Sequence, residues 1–234
     1  MTLNLSGELL CDEWAEVYRW FGFDTGFYCP GDVRSAVDEL EPGETLELLI
    51  NSVGGDVFAA SEIYATLERC PNPTRAEIQS LAASAASYFP LACDRVEIAL
   101  PAQMMIHCAG WDVGGNKTTH RWAADQLEVT DQSILDVYCR KCGPGADRAY
   151  LQELMEQETY LSANQCLELG LVDAILGQEN REDGPATLVA SATGNVIRAM
   201  RVRPDIRVLM ERRQAELEDL HSQLEQEKHR YSRV

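Results

Sequence analysis

Residues 48–67 read LLINSVGGDVFAASEIYATL, and the order of their parts decides the fold. An apolar run meets two adjacent glycines. Val57, Ala60, Ile63, Tyr64 and Leu67 then recur at helical intervals. This predicts a buried strand, a sharp turn and an amphipathic helix. Gly54 and Gly55 let the backbone turn and leave amide N–H groups unobstructed near a helix N-terminus, where they can bind a phosphate or an oxyanion. Neither G-x-x-x-x-G-K nor G-x-G-x-x-G occurs here, so nucleotide binding is not indicated. Taken alone, the pattern also fits an ordinary tight turn.

The same alternation continues on both sides. DEWAEVYRWFG (12–22) has helical spacing, with Trp14, Val17, Tyr18 and Phe21 on one face. GDVRSAVDEL (31–40) reads as a short amphipathic helix, and TLELLINS (45–52) as a strand. Pro71 and Pro73 end the helix that follows the glycines. TRAEIQSL (74–81) reads as a strand, AASAASYFPLA (82–92) as a helix, and RVEIAL (95–100) and QMMIHCA (103–109) as strands. A long helix is predicted from about Thr118 to Lys141, stopping at Gly143, and a shorter one over about 146–157. Ser162 and Gly170 have the residue types that begin and end a helix, and LVDAIL (171–176) closes as a strand. Strands alternating with helices predict an α/β domain with a largely parallel, layered sheet over residues 1–177. Composition turns polar and turn-rich at Gly177, so 178–204 reads as a linker. In 205–234, Ile206, Met210, Leu217, Leu220 and Leu224 follow a heptad broken by Arg213. That fits a weak coiled coil, a partner-docking helix or a solvated helical tail.

The totals exclude several functions. The 234 residues carry 38 acids against 20 bases, a net charge of −18. Nucleic acid and anionic lipid both need a basic footprint, so neither is expected as a partner. No apolar run approaches the roughly 20 residues of a membrane helix, and the first 20 residues do not read as a secretory signal. The eight cysteines are scattered and read as reduced, small buried residues. Cys139 and Cys142 form a CxxC pair with no second pair or HxxxH to complete a zinc set, so no metal is expected. No cofactor is expected either.

Chemistry is suggested by SLAASAASYFPLACD (80–94), where Ser80, Ser84 and Ser87 interrupt alanines. A serine where a strand turns into a helix can present its hydroxyl to a cleft, with the next amide pointing the same way. It can equally cap the helix or bond backward within it. Ser87, one helical turn beyond Ser84, reads as packed inside. A nucleophilic hydroxyl needs a base. His107 at the end of an apolar strand is the best placed, since His120, His221 and His229 lie on the long helix and in the tail. The histidine needs a carboxylate in turn. Glu156 and Glu158 both precede the capped helix, and spacing does not choose between them.

In this order, strand–GG–helix, strand–AAS–helix, strand–MMIH and E-x-Y-L-S-A…G-L-V-D resemble the Clp protease proteolytic subunit family over about residues 40–176. The family's motifs are I-N-S-P-G-G, a serine turn of A-S-M type, M-I-H and D-x-F-(L/M)-(S/T)-A…G-L-(V/I)-D. The resemblance implies a ClpP/crotonase-like fold of stacked β-β-α units followed by a C-terminal helical tail. It places the nucleophile on Ser84, the base on His107 and the acid on Glu158. The oxyanion hole falls on the backbone amides of Gly55 and Ala85. Three positions depart from the family: Glu158 stands for an aspartate, Val53 for the proline before the glycines, and Ala85 for a methionine.

The N-terminal segment GELLCDEWAEVYRWFGFD (7–24) does not resemble the family's ATPase-docking N-terminus. The chain is more similar to the phage and prophage branch, the ClpP-related head maturation proteases. Those proteins cut scaffold and capsid proteins during prohead assembly. The resemblance therefore implies a serine endopeptidase acting on protein or peptide substrates and self-assembling into rings. Phage scaffold, capsid or portal proteins are the implied partners, and the host cytoplasm or a prohead the implied site. The neighbouring possibilities are the bacterial ATP-dependent Clp subunit and a non-catalytic scaffold relative. A serine–lysine signal-peptide peptidase needs a buried lysine, and the domain offers only Lys117 and Lys141, read as a loop residue and a helix end. A crotonase-type acyl-CoA enzyme would need a basic patch for the CoA phosphates, and none is evident.

Overall fold

The computed structural model describes residues 1–178. The predicted linker and helical tail lie outside the described residues. The chain divides into two units, Met1–Glu182 and Asp183–Val234, and every described element belongs to the first.

Eight strands form one sheet. They are β1 (Thr2–Leu9), β2 (Phe27–Tyr28), β3 (Leu46–Gly55), β4 (Thr74–Ala83), β5 (Arg95–Ile98), β6 (Gln103–Ile106), β7 (Thr159–Ser162) and β8 (Ala174–Ile175). The path runs β2-β1-β3-β4-β5-β8, and every pairing along it is parallel. Among the described residues six α-helices accompany them: α1 (Asp12–Trp20), α2 (Pro30–Asp38), α3 (Val57–Glu68), α4 (Lys117–Cys142), α5 (Arg148–Glu156) and α6 (Ala163–Leu169). Parallel strands joined through helices bury their sheet. Accordingly Leu5, Leu48, Ile50, Ala76, Ile78, Val96 and Ile98 are fully buried. No described helix is long and apolar enough to cross a membrane.

Strand β4 does two jobs. Its first half, Arg75–Ile78, pairs with β5, and its second half, Leu81–Ala83, pairs with β6. Between them its register against β3 jumps, from Ile50↔Ile78 to Ser52↔Ala82. Extra residues on one strand bend and twist it. The bend carries the end of β4 away from β5 toward β6, which in turn pairs antiparallel with β7. Exposed Ser80 sits in this bend.

Two expectations, the helix over 82–92 and the loop position of Lys117, are corrected. Residues 82–92 are not one helix: β4 continues to Ala83, and two 3-10 turns follow, Ser84–Ser87 and Phe89–Ala92. Ser84 has φ +55°, outside the right-handed helical region, and Pro90 has no N–H to extend a helix. On α1, Ala15 is buried and Tyr18 packs against the cluster of Leu10, Ala15 and Cys29, while Trp14 is 46% exposed. Lys117 begins α4 rather than lying in a loop, because Asn116 Oδ1 accepts the Thr118 and Thr119 amides and caps the helix there. Strand β1 and the β6–β7 ladder add to the predicted elements. The end signals of α6 form as expected. Ser162 accepts the Gln165 amide, and Gly170 takes the left-handed conformation.

Candidate active site

The site is built from the ends of β3, β4 and β6. Ser52 points inward from β3 and is buried, a costly place for an unpaired hydroxyl. Its oxygen accepts the Tyr28 hydroxyl at 2.8 Å and the Gly54 amide at 3.1 Å, and its proton goes to the Gly7 carbonyl at 2.7 Å. The network fixes the backbone as it enters the glycine pair. Gly54 has φ +88° and Gly55 φ +153°. A Cβ on Gly55 would fall 2.0 Å from the Leu9 carbonyl oxygen, and one on Gly54 2.5 Å from that of Ala83. No other residue type fits either position. Asp56 then caps α3 by accepting the Ala59 amide at 2.9 Å.

Ser84 is the first residue after β4. Its left-handed backbone sets it apart from the strand, and its side chain is half-buried. The turn is tied from below. Ser87 is fully buried, as its spacing predicted, and its Oγ donates to the Ser84 carbonyl at 2.5 Å. The Ala85 amide nitrogen lies 2.9 Å from where a Gly54 Cβ would stand, so this amide and the glycine pair are neighbours.

His107 follows the last residue of β6. Its Nε2 lies 2.7 Å from Ser84 Oγ. For Nε2 to accept the serine proton, the ring must carry its own proton on Nδ1, and an acceptor there would hold that tautomer. Ile106 pairs with Thr159, so one register step further places Glu158 across from His107. The backbone reinforces this. The Met155 carbonyl accepts both the Cys108 amide (3.3 Å) and the Glu158 amide (3.1 Å). Glu158 has φ +49°, the second non-glycine residue with a left-handed backbone among the described residues. Glu156 differs: it ends α5, and its Oε1 accepts Gln152 Nε2 at 2.9 Å, back along its own helix.

Asp131 of α4 escaped the sequence reading. Its Oδ1 accepts the Ala109 amide at 2.6 Å, two residues past His107. Nothing in the polar surroundings of Asp131 in the sequence marks it. Burial pushes its carboxyl above the ordinary range. The hydrogen bond from Ala109 and the charge of His107 pull the other way without cancelling that shift. The Cys108 thiol is pushed up to about 11, by burial first and then by Asp131, so it stays protonated at neutral pH.

Beside the serine turn, α3 and α4 enclose a groove of about 300 Å³ lined by Val57, Phe58, Tyr88, Val129 and Ile134 among others. Val57 is two residues past Gly55, and Tyr88 four past Ser84. Tyr88 bridges the wall, donating to the Val57 carbonyl at 2.5 Å and lying 3.0 Å from Ser61 Oγ. Among the described residues no group of three or more His, Cys, Asp or Glu side chains is placed to hold a metal.

A hydroxyl on a strained turn, an imidazole within proton-transfer distance and a glycine turn beside the next amide make an arrangement suited to acyl transfer. Comparison with known proteins agrees. The Clp protease family model matches residues 35–179. The chain is 31% identical over 139 residues to the ATP-dependent Clp protease proteolytic subunit 1 of Chlamydia muridarum, covering 58% of this chain and 71% of that one. The Chlamydia trachomatis subunit 1 gives the same figures. The ATP-dependent Clp protease proteolytic subunit of Deinococcus radiodurans is 27% identical over 149 residues, or 62% of this chain and 72% of its own. The chain belongs to the Clp protease family and is a serine-type peptidase.

Proposed function

We propose that the protein is a serine endopeptidase in which Ser84, His107 and Glu158 act as the triad, and that it serves as a prophage head maturation protease. The observation that carries the catalytic part is the 2.7 Å approach of His107 Nε2 to Ser84 Oγ. Ser84 Oγ attacks the peptide carbonyl carbon while its proton passes to Nε2. The amides of Gly55 and Ala85 hold the oxyanion, each donor worth about 10²–10³ in rate. The tetrahedral intermediate collapses to an acyl-Ser84, and the imidazolium returns the proton to the departing amine. Water, deprotonated by His107, then releases the acid. Glu158 orients the ring through Nδ1 and offsets its transient positive charge. The substrate binds extended, through backbone hydrogen bonds, and places an apolar side chain in the groove lined by Val57, Tyr88 and Ile134.

The maturation role rests on the segment before the family match. Residues 1–34 precede it, and they form β1, α1, β2 and the start of α2 here. Arg19 of α1 pairs with Asp32 at 2.7 Å, and Arg34 of α2 with Asp12 and Glu62. A folded segment of this kind, unlike the family's ATPase-docking N-terminus in sequence, supports the maturation reading. On this reading the enzyme assembles into rings, works in the host cytoplasm or a prohead, and cuts scaffold or capsid protein. The names of the relatives favour a second reading, an ATP-dependent Clp subunit.

Intact-mass spectrometry after diisopropyl fluorophosphate treatment tests the chemistry. One adduct on wild type, absent from Ser84→Ala and His107→Ala, is expected. No adduct on folded wild type would sink it. Incubation with a Clp ATPase or with assembling proheads separates the two roles. Cleavage stimulated by the ATPase would overturn the maturation role, and cleavage of scaffold without it would support that role.

A further inference from the structure

The backbone that carries His107 leaves the sheet at Ile106, the last residue of β6. Beyond that point the ladder no longer holds it. The next two amides are each taken by another element. Cys108 N–H donates to the Met155 carbonyl at the end of α5, and Ala109 N–H donates to the Asp131 carboxylate on α4 at 2.6 Å. The charge of His107 pulls the pKa of the same carboxyl down. A charged acceptor makes such a bond roughly twice as strong as a neutral one. One α5 carbonyl and one α4 side chain thus hold the two residues that follow the histidine.

We propose that Asp131 is a positioning residue for His107. It anchors Ala109 so that the imidazole stays within reach of Ser84 Oγ, and its carboxylate supplies a negative charge near the imidazolium that forms during acylation. This rests on the serine-peptidase reading of Ser84 and His107. The other acids in this region are Glu128 on α4, Glu156 at the end of α5 and Glu158 just before β7. The Cys108 thiol is neutral. Of the acids, Asp131 is the one bonded to the backbone beyond His107. Glu128 is bonded to Gln132 and Glu156 to Gln152, each along its own helix. Glu158 and Asp131 then divide the work: Glu158 addresses the ring, and Asp131 holds the strand end on which the ring is mounted.

The test follows the rate of Ser84 modification by diisopropyl fluorophosphate from pH 5 to 9, on the full chain. Wild type is compared with Asp131→Asn, Asp131→Ala and Glu128→Gln. The amide introduced by Asp131→Asn still offers an oxygen to the Ala109 N–H but carries no charge. A nearby negative charge raises an imidazole's pKa, so its removal lowers it. Asp131→Asn should slow labelling roughly tenfold and move the acid limb down by about 0.5–1 pH unit, with a melting temperature near wild type. Glu128→Gln should move neither. A second readout is independent of labelling. In a Ser84→Ala background, the His107 Cε1–H NMR titration should shift down by the same interval when Asp131→Asn is added. A variant that labels like wild type, with an unshifted His107 midpoint, overturns the proposal even if Asp131→Ala fails to fold. Wild type that is not labelled, or Ser84→Ala that is, overturns the serine-peptidase reading and this assignment with it.

Discussion

Gly54 lies so close beneath Ser84 that a Cβ on it would stand 2.7 Å from the Ser84 Cβ. The same hypothetical atom would meet the Ala83 carbonyl at 2.5 Å and the Ala85 nitrogen at 2.9 Å. Two of these three contacts are backbone and cannot swing away. Gly54 also holds φ +88°, where a side chain adds strain of about 1–3 kcal/mol. Gly54→Ala should therefore lower unfolding free energy by about 2 kcal/mol or more. It should also displace the serine turn, slowing fluorophosphonate labelling by roughly 100-fold. Gly114, with open space around it, is the control: Gly114→Ala should stay within about 0.5 kcal/mol of wild type. Urea unfolding and labelling rates check both. Labelling of Gly54→Ala at the wild-type rate would show that the glycine pair does not hold the turn.

Ser84 holds φ +55°. For a residue with a Cβ the left-handed region costs about 1–2 kcal/mol. Ser84→Ala keeps that strain and Ser84→Gly releases it, less the extra entropy glycine gains when unfolded. Both variants should lose labelling entirely. Ser84→Gly should nevertheless unfold at higher urea than Ser84→Ala, by about 0.5–1 kcal/mol. The reverse order would place the strain somewhere other than at Ser84.

The strand–glycine–helix run and the histidine at the end of an apolar strand were legible because each has a local signature: an apolar run, a helical period, a Gly-Gly pair. The serine turn was legible in place but not in conformation. Residues 82–92 have helical composition, yet β4 overrides it. The bend at Gln79–Leu81 carries the strand on to Ala83, and this is set by pairing with β3 and β6, not by local propensity. Strand β1 left a weak trace, Leu3, Leu5 and Leu9 at even spacing, that a period-2 count would find. Glu156 and Glu158 were indistinguishable in sequence because only the β6–β7 register separates them. Asp131 had no trace at all. Its hydrogen-bond partner is a backbone amide 22 residues away, and no spacing rule links the two.

Beneath the turn, Ser87 gives its one proton to the Ser84 carbonyl, so the Tyr138 hydroxyl 2.6 Å away must donate to Ser87 Oγ. Tyr138 is fully buried, and burial pushes its phenol well above the ordinary value. Ser87→Ala strands both a buried phenol and a carbonyl and should cost about 2–3 kcal/mol. Tyr138→Phe leaves the Ser87–Ser84 bond in place and should cost about 1 kcal/mol in hydrogen bonding. The double variant should fall short of the sum by about 1 kcal/mol. Additive losses by urea unfolding would mean that the two hydroxyls are not coupled.

Across the sheet surface, Glu47, Arg75 and Arg95 stand in register on β3, β4 and β5. Glu97, only 5% exposed, takes Arg75 Nε at 2.5 Å and Arg95 Nε at 2.8 Å. Burial alone would raise its pKa, but the hydrogen bonds from Arg95 and Arg75 outweigh burial and hold it below the ordinary 4.5. An acid with a lowered folded pKa binds fewer protons folded than unfolded. Its contribution is therefore complete above 4.5 and is lost as pH falls through the folded value. Glu97→Gln should cost roughly 1–3 kcal/mol at pH 7, since it leaves two guanidinium groups facing a neutral amide. Urea midpoints measured at pH 7, 5, 4 and 3 should show the gap between wild type and Glu97→Gln holding to about pH 5 and closing below it. A gap that stays constant down to pH 3 would mean that the carboxylate draws no net stabilisation from its two arginines.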